Sequence, residues 1–300
     1  MCSSDLLIWG TAFVAQSAGM DYLGPMTYNS VRMLIGALVL LPVILAFDHR
    51  GPVKTAQERR ATDRVSLLGG LCCGVFLALG STLQQMGVSM TTAGKAGFLT
   101  ALYIVIVPLL GVFIGKRIPK IIWVCVAVAV GGFYLLCVKE GFSVGKGDLL
   151  VLCSALFFSL HIMVVDHWLQ KGVDGVRMSC VQFLTCGLVV LVPALLFEET
   201  AAADLWGARY TLLYTGVLSS GVAYTMQILG QKYTEPATAT LLLSLESVFA
   251  ALSGWLILHE AMSGREVLGC VLVFAAVLLA QRPEKPQDNH LAGKGAAYEQ

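Results

Sequence analysis

"LLLSLESVFAALSGWLIL", Leu241 to Leu258, runs for eighteen residues with a single charge, Glu246. About twenty apolar residues cross the hydrocarbon core of a bilayer, so the stretch reads as most of a transmembrane helix. A carboxylate at the centre of such a helix is disfavoured by about 2.5–3.5 kcal/mol on insertion scales. That cost makes Glu246 the first residue to explain. In one reading it is structural, paired with a hydroxyl or amide of a neighbouring helix. In the other it lines a central polar cavity. Both turn it away from lipid.

The rest of the chain has the same character. Of 300 residues, 57% are hydrophobic and 13% charged, and the mean hydropathy is +0.76. Soluble domains carry about 25% charged residues. A soluble core cannot enclose this much apolar surface, whereas a bilayer can. A formal net charge of +1 offers no basic stripe for nucleic acid, and no such partner is expected. The nine cysteines form no C-x-x-C pair, and all but Cys2 lie in or beside apolar runs, where a thiol acts as a small hydrophobe. No disulfide framework, metal site or cofactor is expected.

Working outward from Glu246, ten apolar windows appear, at residues 6–22, 26–47, 66–88, 93–115, 119–138, 148–168, 176–197, 208–231, 237–258 and 264–281. Runs this long span as helices, because each helix satisfies its own backbone polar groups in lipid. The expected fold class is an all-α membrane protein with ten transmembrane helices. The longest polar stretches are Asp48–Ser66 and the tail after Gln281. The start, "MCSSDL", has no basic flank and does not read as a signal peptide. Its CSSDL back-translates to the end of a common sequencing adapter, so Met1–Asp5 are expected to be foreign and the first helix cut short. With a cytoplasmic N-terminus, the inner loops and tail hold fourteen Lys and Arg and the outer loops five. That bias predicts a cell (inner) membrane protein with both termini in the cytoplasm.

The second half echoes the first. "GVFIGKRI" (Gly111–Ile118) and "GWLILHEA" (Gly254–Ala261) lie 143 residues apart. Gln84 and Gln227 share that offset, as do Tyr103 and Glu246. Val31-Arg32-Met33 recurs, two residues out of phase, as Val176-Arg177-Met178. The expected units are 1–140, 145–282 and a polar cytoplasmic tail, 283–300. Five spans per unit is an odd number, so equivalent helices cross the bilayer in opposite directions. Such inverted repeats build transporters whose site lies at the midplane between the halves.

The stretches "LIWGTAFVAQ", "GKAGFLTALYIVIVPLLGVFIGKR" and "LESVFAALSGWLILHEAM" resemble the first helix and the two repeat signatures of the EamA family, in the drug/metabolite transporter superfamily. The resemblance covers nearly the whole chain. It implies a ten-helix, five-plus-five exporter or permease for small metabolites, amino acids among them. Within that pattern Glu246 and Glu260 match two acidic positions, Pro108 a mid-helix proline and Arg32 a second-helix arginine. Ser247 stands where the second repeat usually has a proline, and Lys116-Arg117 replaces the first repeat's usual Gly-Glu.

Polar residues inside the spans supply the candidate substrate-binding set. Ser220, Tyr224, Gln227 and Gln231 fall at i, i+4, i+7 and i+11, a stripe on one α-helical face. Trp9 and Gln16 share a face of the first span, with Phe13 beside them. In the third span Ser81 and Gln85 share a face, with Gln84 adjacent. Thr100 and Tyr103 mark the fourth span, and Ser154, Phe158 and His161 the sixth. The cavity-lining candidates are therefore Trp9, Gln16, Gln84, Gln85, Tyr103, His161, Ser220, Tyr224, Gln227 and Glu246. For each, helix packing with one satisfied hydrogen bond is the competing reading. Arg32 reads as an interfacial anchor or snorkelling side chain, with substrate-carboxylate binding as the alternative. Gly70-x-x-x-Gly74, Gly111-x-x-x-Gly115 and Ala250-x-x-x-Gly254 read as close helix contacts.

An enzyme is the rival class, and the sequence lacks its motifs. His259-Glu260 begins like H-E-x-x-H, but Ser263 stands at the fifth position. G-x-S-x-G and a Walker A loop are absent. Without a nucleotide site, transport is expected to run downhill or on an ion gradient, with Glu246 or His161 as candidate proton carriers. The expectation is a non-enzymatic secondary or facilitative transporter with a small-molecule substrate, most simply an exporter. Alternatives are an exporter of drugs or lipophilic solutes, a membrane scaffold and an intramembrane enzyme.

Overall fold

The computed structural model describes residues 3–50, 55–91, 93–137, 145–249 and 263–280, and every regular element among them is a helix. In chain order these are α1 (Ser3–Gly19), α2 (Pro25–Arg50), α3 (Ala56–Val88), α4 (Ala93–Ala101), α5 (Tyr103–Phe113), α6 (Lys120–Cys137), α7 (Lys146–Leu169) and α8 (Gly175–Phe197). There follow α9 (Ala202–Gly207), α10 (Arg209–Leu213), a π-helical segment (Tyr214–Tyr224), α11 (Thr225–Gln231), α12 (Pro236–Leu243) and α13 (Gly264–Ala280). Residues 245–249 are helical as well. Glu260, the spacing Ala250-x-x-x-Gly254, the tail 283–300, and Met1 and Cys2 of the adapter-like start lie outside the described residues.

Among the described residues, six helices are long and apolar enough to cross a membrane, and three shorter apolar ones accompany them. Side chains such as Phe113, Leu195, Leu196 and Phe197 are largely exposed. Water would penalise such a surface, while lipid accepts it. The chain is a multi-pass membrane protein.

Local sequence decides where the helices start and stop. The polar stretch expected between Asp48 and Ser66 is mostly helix, because α3 begins ten residues ahead of its apolar window. Thr55 and Glu58 form a capping box there: the Thr55 hydroxyl accepts from the Glu58 N–H at 3.3 Å, and the Glu58 carboxylate from the Thr55 N–H at 2.9 Å. Gly115 is not half of a helix contact. It sits at φ +81 just past α5, where the Lys116 N–H reaches back to the Gly111 carbonyl at 2.9 Å and the helix ends.

The main contacts join helices across the two halves of the chain. α3 packs along α7 and α8, α2 along α8 and the π segment, and α6 along α13. The registers give the directions. Gly70 of α3 lies against Met178 and Val181, and Gly74 against Gln182 and Thr185, so α3 and α8 run parallel. Tyr28 meets Thr215, and Gly36 meets Ser220, so α2 and the π segment are parallel too. Ser30 donates to the Gly187 carbonyl at 2.8 Å, while Cys180 meets the Ala37 carbonyl at 3.5 Å; α2 and α8 are antiparallel.

Polar clasps tie the ends of these helices. Arg177 pairs with Asp48 and, at 3.0 Å, with Asp63, joining α8 to the end of α2 and the start of α3. At the opposite end, the Glu198 carboxylate accepts from the N–H groups of Met26 at 2.9 Å and Thr27 at 2.7 Å. It thereby satisfies free donors at the start of α2 and faces the positive end of its dipole. Glu198→Ala is expected to lose about 1 kcal/mol, lowering the thermal unfolding midpoint in detergent by a few degrees. An unchanged midpoint would contradict the clasp.

Candidate functional site

A buried polar cavity opens where helices of both halves converge, with about 520 Å³ of atom-free space including its mouth. α1 contributes Trp9, Phe13 and Gln16; α2 contributes Arg32 and α3 contributes Gln84. The fourth apolar window brings Thr100 and Tyr103, and α7 brings Phe158, His161 and Ile162. Ser219, Tyr224 and Gln227 form the wall from the eighth window, and Leu243 and Glu246 that from the ninth.

A tightened turn precedes each member of the central pair. In the fourth window the N–H groups of Leu102 and Val105 turn back only three residues, to Leu99 and Leu102. In the ninth the Ser244 hydroxyl donates to the Leu241 carbonyl at 2.7 Å; such back-bonding bends helices. Tyr103 and Glu246 follow these turns, and the Tyr103 hydroxyl donates to Glu246 Oε1 at 3.0 Å.

The remaining polar groups are held from behind. Gln84 Nε2 donates to the Thr100 hydroxyl at 3.1 Å. His161 pairs through Nε2 with Gln182 Oε1 at 2.9 Å, so its imidazole is fixed on the α8 side. Trp9 donates to the Ser219 carbonyl at 3.3 Å and packs edge-on against Tyr224, ring centroids 4.9 Å apart. Among the described residues, Gln16 Oε1 and Arg32 Nη2 have no hydrogen-bond partner.

The sequence candidates divide accordingly. Trp9, Gln16, Gln84, Tyr103, His161, Tyr224, Gln227 and Glu246 line the cavity, while Gln85 and Ser220 do not. Gln85 stands one position, a quarter-turn, away from Gln84 and reaches Met20 Sδ at 3.2 Å instead. Ser220 is displaced by the π winding. A π turn pairs residues five apart, so Ser219 shares the face of Tyr224, and Ser220 turns to Met33 and Gly36. Gln231 is buried but outside the cavity wall. Arg32 is neither an interfacial anchor nor snorkelling: its side chain is 1% exposed and lines the cavity.

The family model described as the EamA-like transporter family matches the chain twice, over residues 4–138 and 145–281. The chain belongs to that family. An uncharacterized transporter of Archaeoglobus fulgidus is 29% identical over 274 residues, which are 91% of this chain and 82% of that protein. The uncharacterized transporter YoaV of Bacillus subtilis is 26% identical over 91% of this chain and 92% of its own length. A solved crystal structure, 18% identical, superposes with a TM-score of 0.72 over 93% of this chain and 94% of the other, a likeness of fold. With two matches to one EamA model, the offset of 143 between Gln84 and Gln227 places one glutamine from each repeat in a single cavity. The protein is a membrane transporter of this family.

Proposed function

We propose that the chain forms ten transmembrane helices in two inverted five-helix repeats, and that it exports small metabolites, such as amino acids, by alternating access. The observation that carries this reading is the buried polar cavity to which both repeats contribute. Three features of the geometry support the inversion. α2 and α8, second helices of their repeats, run antiparallel. α3 lies parallel to α8 just as α2 lies parallel to the π segment, the pairing a two-fold axis in the membrane plane generates. Tyr103 and Glu246, equivalent by the 143-residue offset, touch each other, as equivalent residues beside a two-fold axis do.

Transport is secondary or facilitative, in a cell membrane with both termini cytoplasmic, as the Lys and Arg distribution favours. Glu246, bonded to the repeat-equivalent tyrosine, is the group best placed to couple a proton to solute movement. The aromatic walls, Trp9, Phe13, Phe158 and Tyr224, also suit a lipophilic solute, and that is the second reading. A metabolite survey of cells with and without the gene nominates solutes, and purified protein in proteoliposomes then measures their flux with and without an imposed pH gradient. Solute flux above that of protein-free vesicles is the expected result. Its absence for every nominated solute contradicts the function, and flux indifferent to the gradient removes the proton.

A further inference from the structure

Among the described residues, nothing balances the charge of Arg32. It is fully buried in the cavity wall, and among the described residues no carboxylate comes within ion-pairing distance of it. A buried charge without a counter-charge is strongly unfavourable. Glu246, in the same cavity, is engaged by Tyr103 and not by Arg32.

The guanidinium is nonetheless held in place. Its Nε–H donates to Asn29 Oδ1 at 3.0 Å. Asn29 cannot turn, because its Nδ2 donates to the hydroxyls of Ser81 at 2.9 Å and Thr82 at 3.0 Å. One side of the planar fork is thus tied to α3 through Asn29, and Nη2 is left without a partner. Gln16 Oε1, on the same cavity wall, is likewise an unfilled acceptor. A positioned guanidinium with a free donor is the group that best matches a carboxylate.

We infer that Arg32 anchors a carboxylate subsite, with Asn29 as its positioning residue, and that the cavity takes small organic acids with an apolar or aromatic body. The inference deepens the transport reading of the cavity and rests on it. The carboxylate supplies the missing counter-charge, and the aromatic walls receive the body of the solute. Gln16 accepts from any donor that the solute carries.

Calorimetric titration of the purified full chain in nanodiscs tests this with matched pairs: phenylacetate against phenylacetamide, and L-phenylalanine against L-phenylalaninamide. At least one carboxylate is expected to bind about tenfold or more tightly than its amide, as for charge-assisted hydrogen bonds. Arg32→Gln brings that ratio near one. Asn29→Asp does the same in a folded protein, because it gives Arg32 a built-in counter-ion. The inference is overturned if no carboxylate binds, if amides bind as well as acids, or if folded Asn29→Asp keeps the preference. Transport is read separately in proteoliposomes. Wild type that binds phenylacetate but never moves it keeps the subsite and loses the transport reading, whereas flux of amides and acids without preference does the reverse.

Discussion

Glu246→Gln is expected to yield a folded protein whose solute flux falls about tenfold or more. An amide cannot carry the proton that we propose Glu246 couples to solute movement, and about 1.4 kcal/mol of lost stabilisation on the transport path is a tenfold loss of rate. The glutamine keeps an oxygen where Oε1 accepts from Tyr103 at 3.0 Å, so the bond between the two helices survives and only the acid is lost. A purely structural Glu246 would tolerate the change. Flux in proteoliposomes, normalised to folded protein, separates the two readings left open by the sequence. Tyr103→Phe is the complementary variant. It keeps the carboxylate and removes the hydroxyl that donates to it, so it is expected to lower the unfolding midpoint as well as the flux.

Gly70→Leu with Gly74→Leu is expected to destabilise the protein by about 3 kcal/mol or more, beyond the 1–3 kcal/mol of ordinary overpacking. A Cβ at Gly70 would lie 2.5 Å from Val181 Cβ and 3.0 Å from the Met178 carbonyl. At Gly74 it would lie 2.5 Å from Thr185 Cβ and 2.9 Å from the Gln182 carbonyl. Side-chain rotation moves neither these Cβ atoms nor the carbonyls of α8, so the helices themselves must part. Close approach through small residues is how membrane helices gain van der Waals contact. Gly131→Leu is the control, since a Cβ there meets nothing within 4 Å. Equal midpoints for the double variant and the control would show that this helix contact carries no stability.

The apolar windows were legible because lipid demands long uninterrupted helices, and each window has helix in the described structure. What the windows missed lies where polar sequence also makes good helix. Thr55 and Glu58 carry a capping signature ahead of residues too charged to count as a span. The cavity was legible in part for a similar reason. Tyr224 and Gln227 sit three apart on one α-helical face, and the period of that face is readable. Ser219 was not, because residues 214–224 wind as a π segment and nothing in their composition announces a change of period. Arg32, read as an interfacial anchor or snorkelling side chain, is buried instead. Its burial depends on Asn29, Ser81 and Thr82, which meet only once α2 and α3 have packed.

The most direct test of two antiparallel repeats around a shared, alternately exposed cavity uses one reporter. All native cysteines are replaced, Ser219 is changed to Cys, and a membrane-impermeant maleimide is applied to each face of sealed, oriented vesicles holding active protein. Modification from both faces is the predicted result, because the site opens to each side in turn. Modification from one face alone, or from neither while transport continues, would contradict the account.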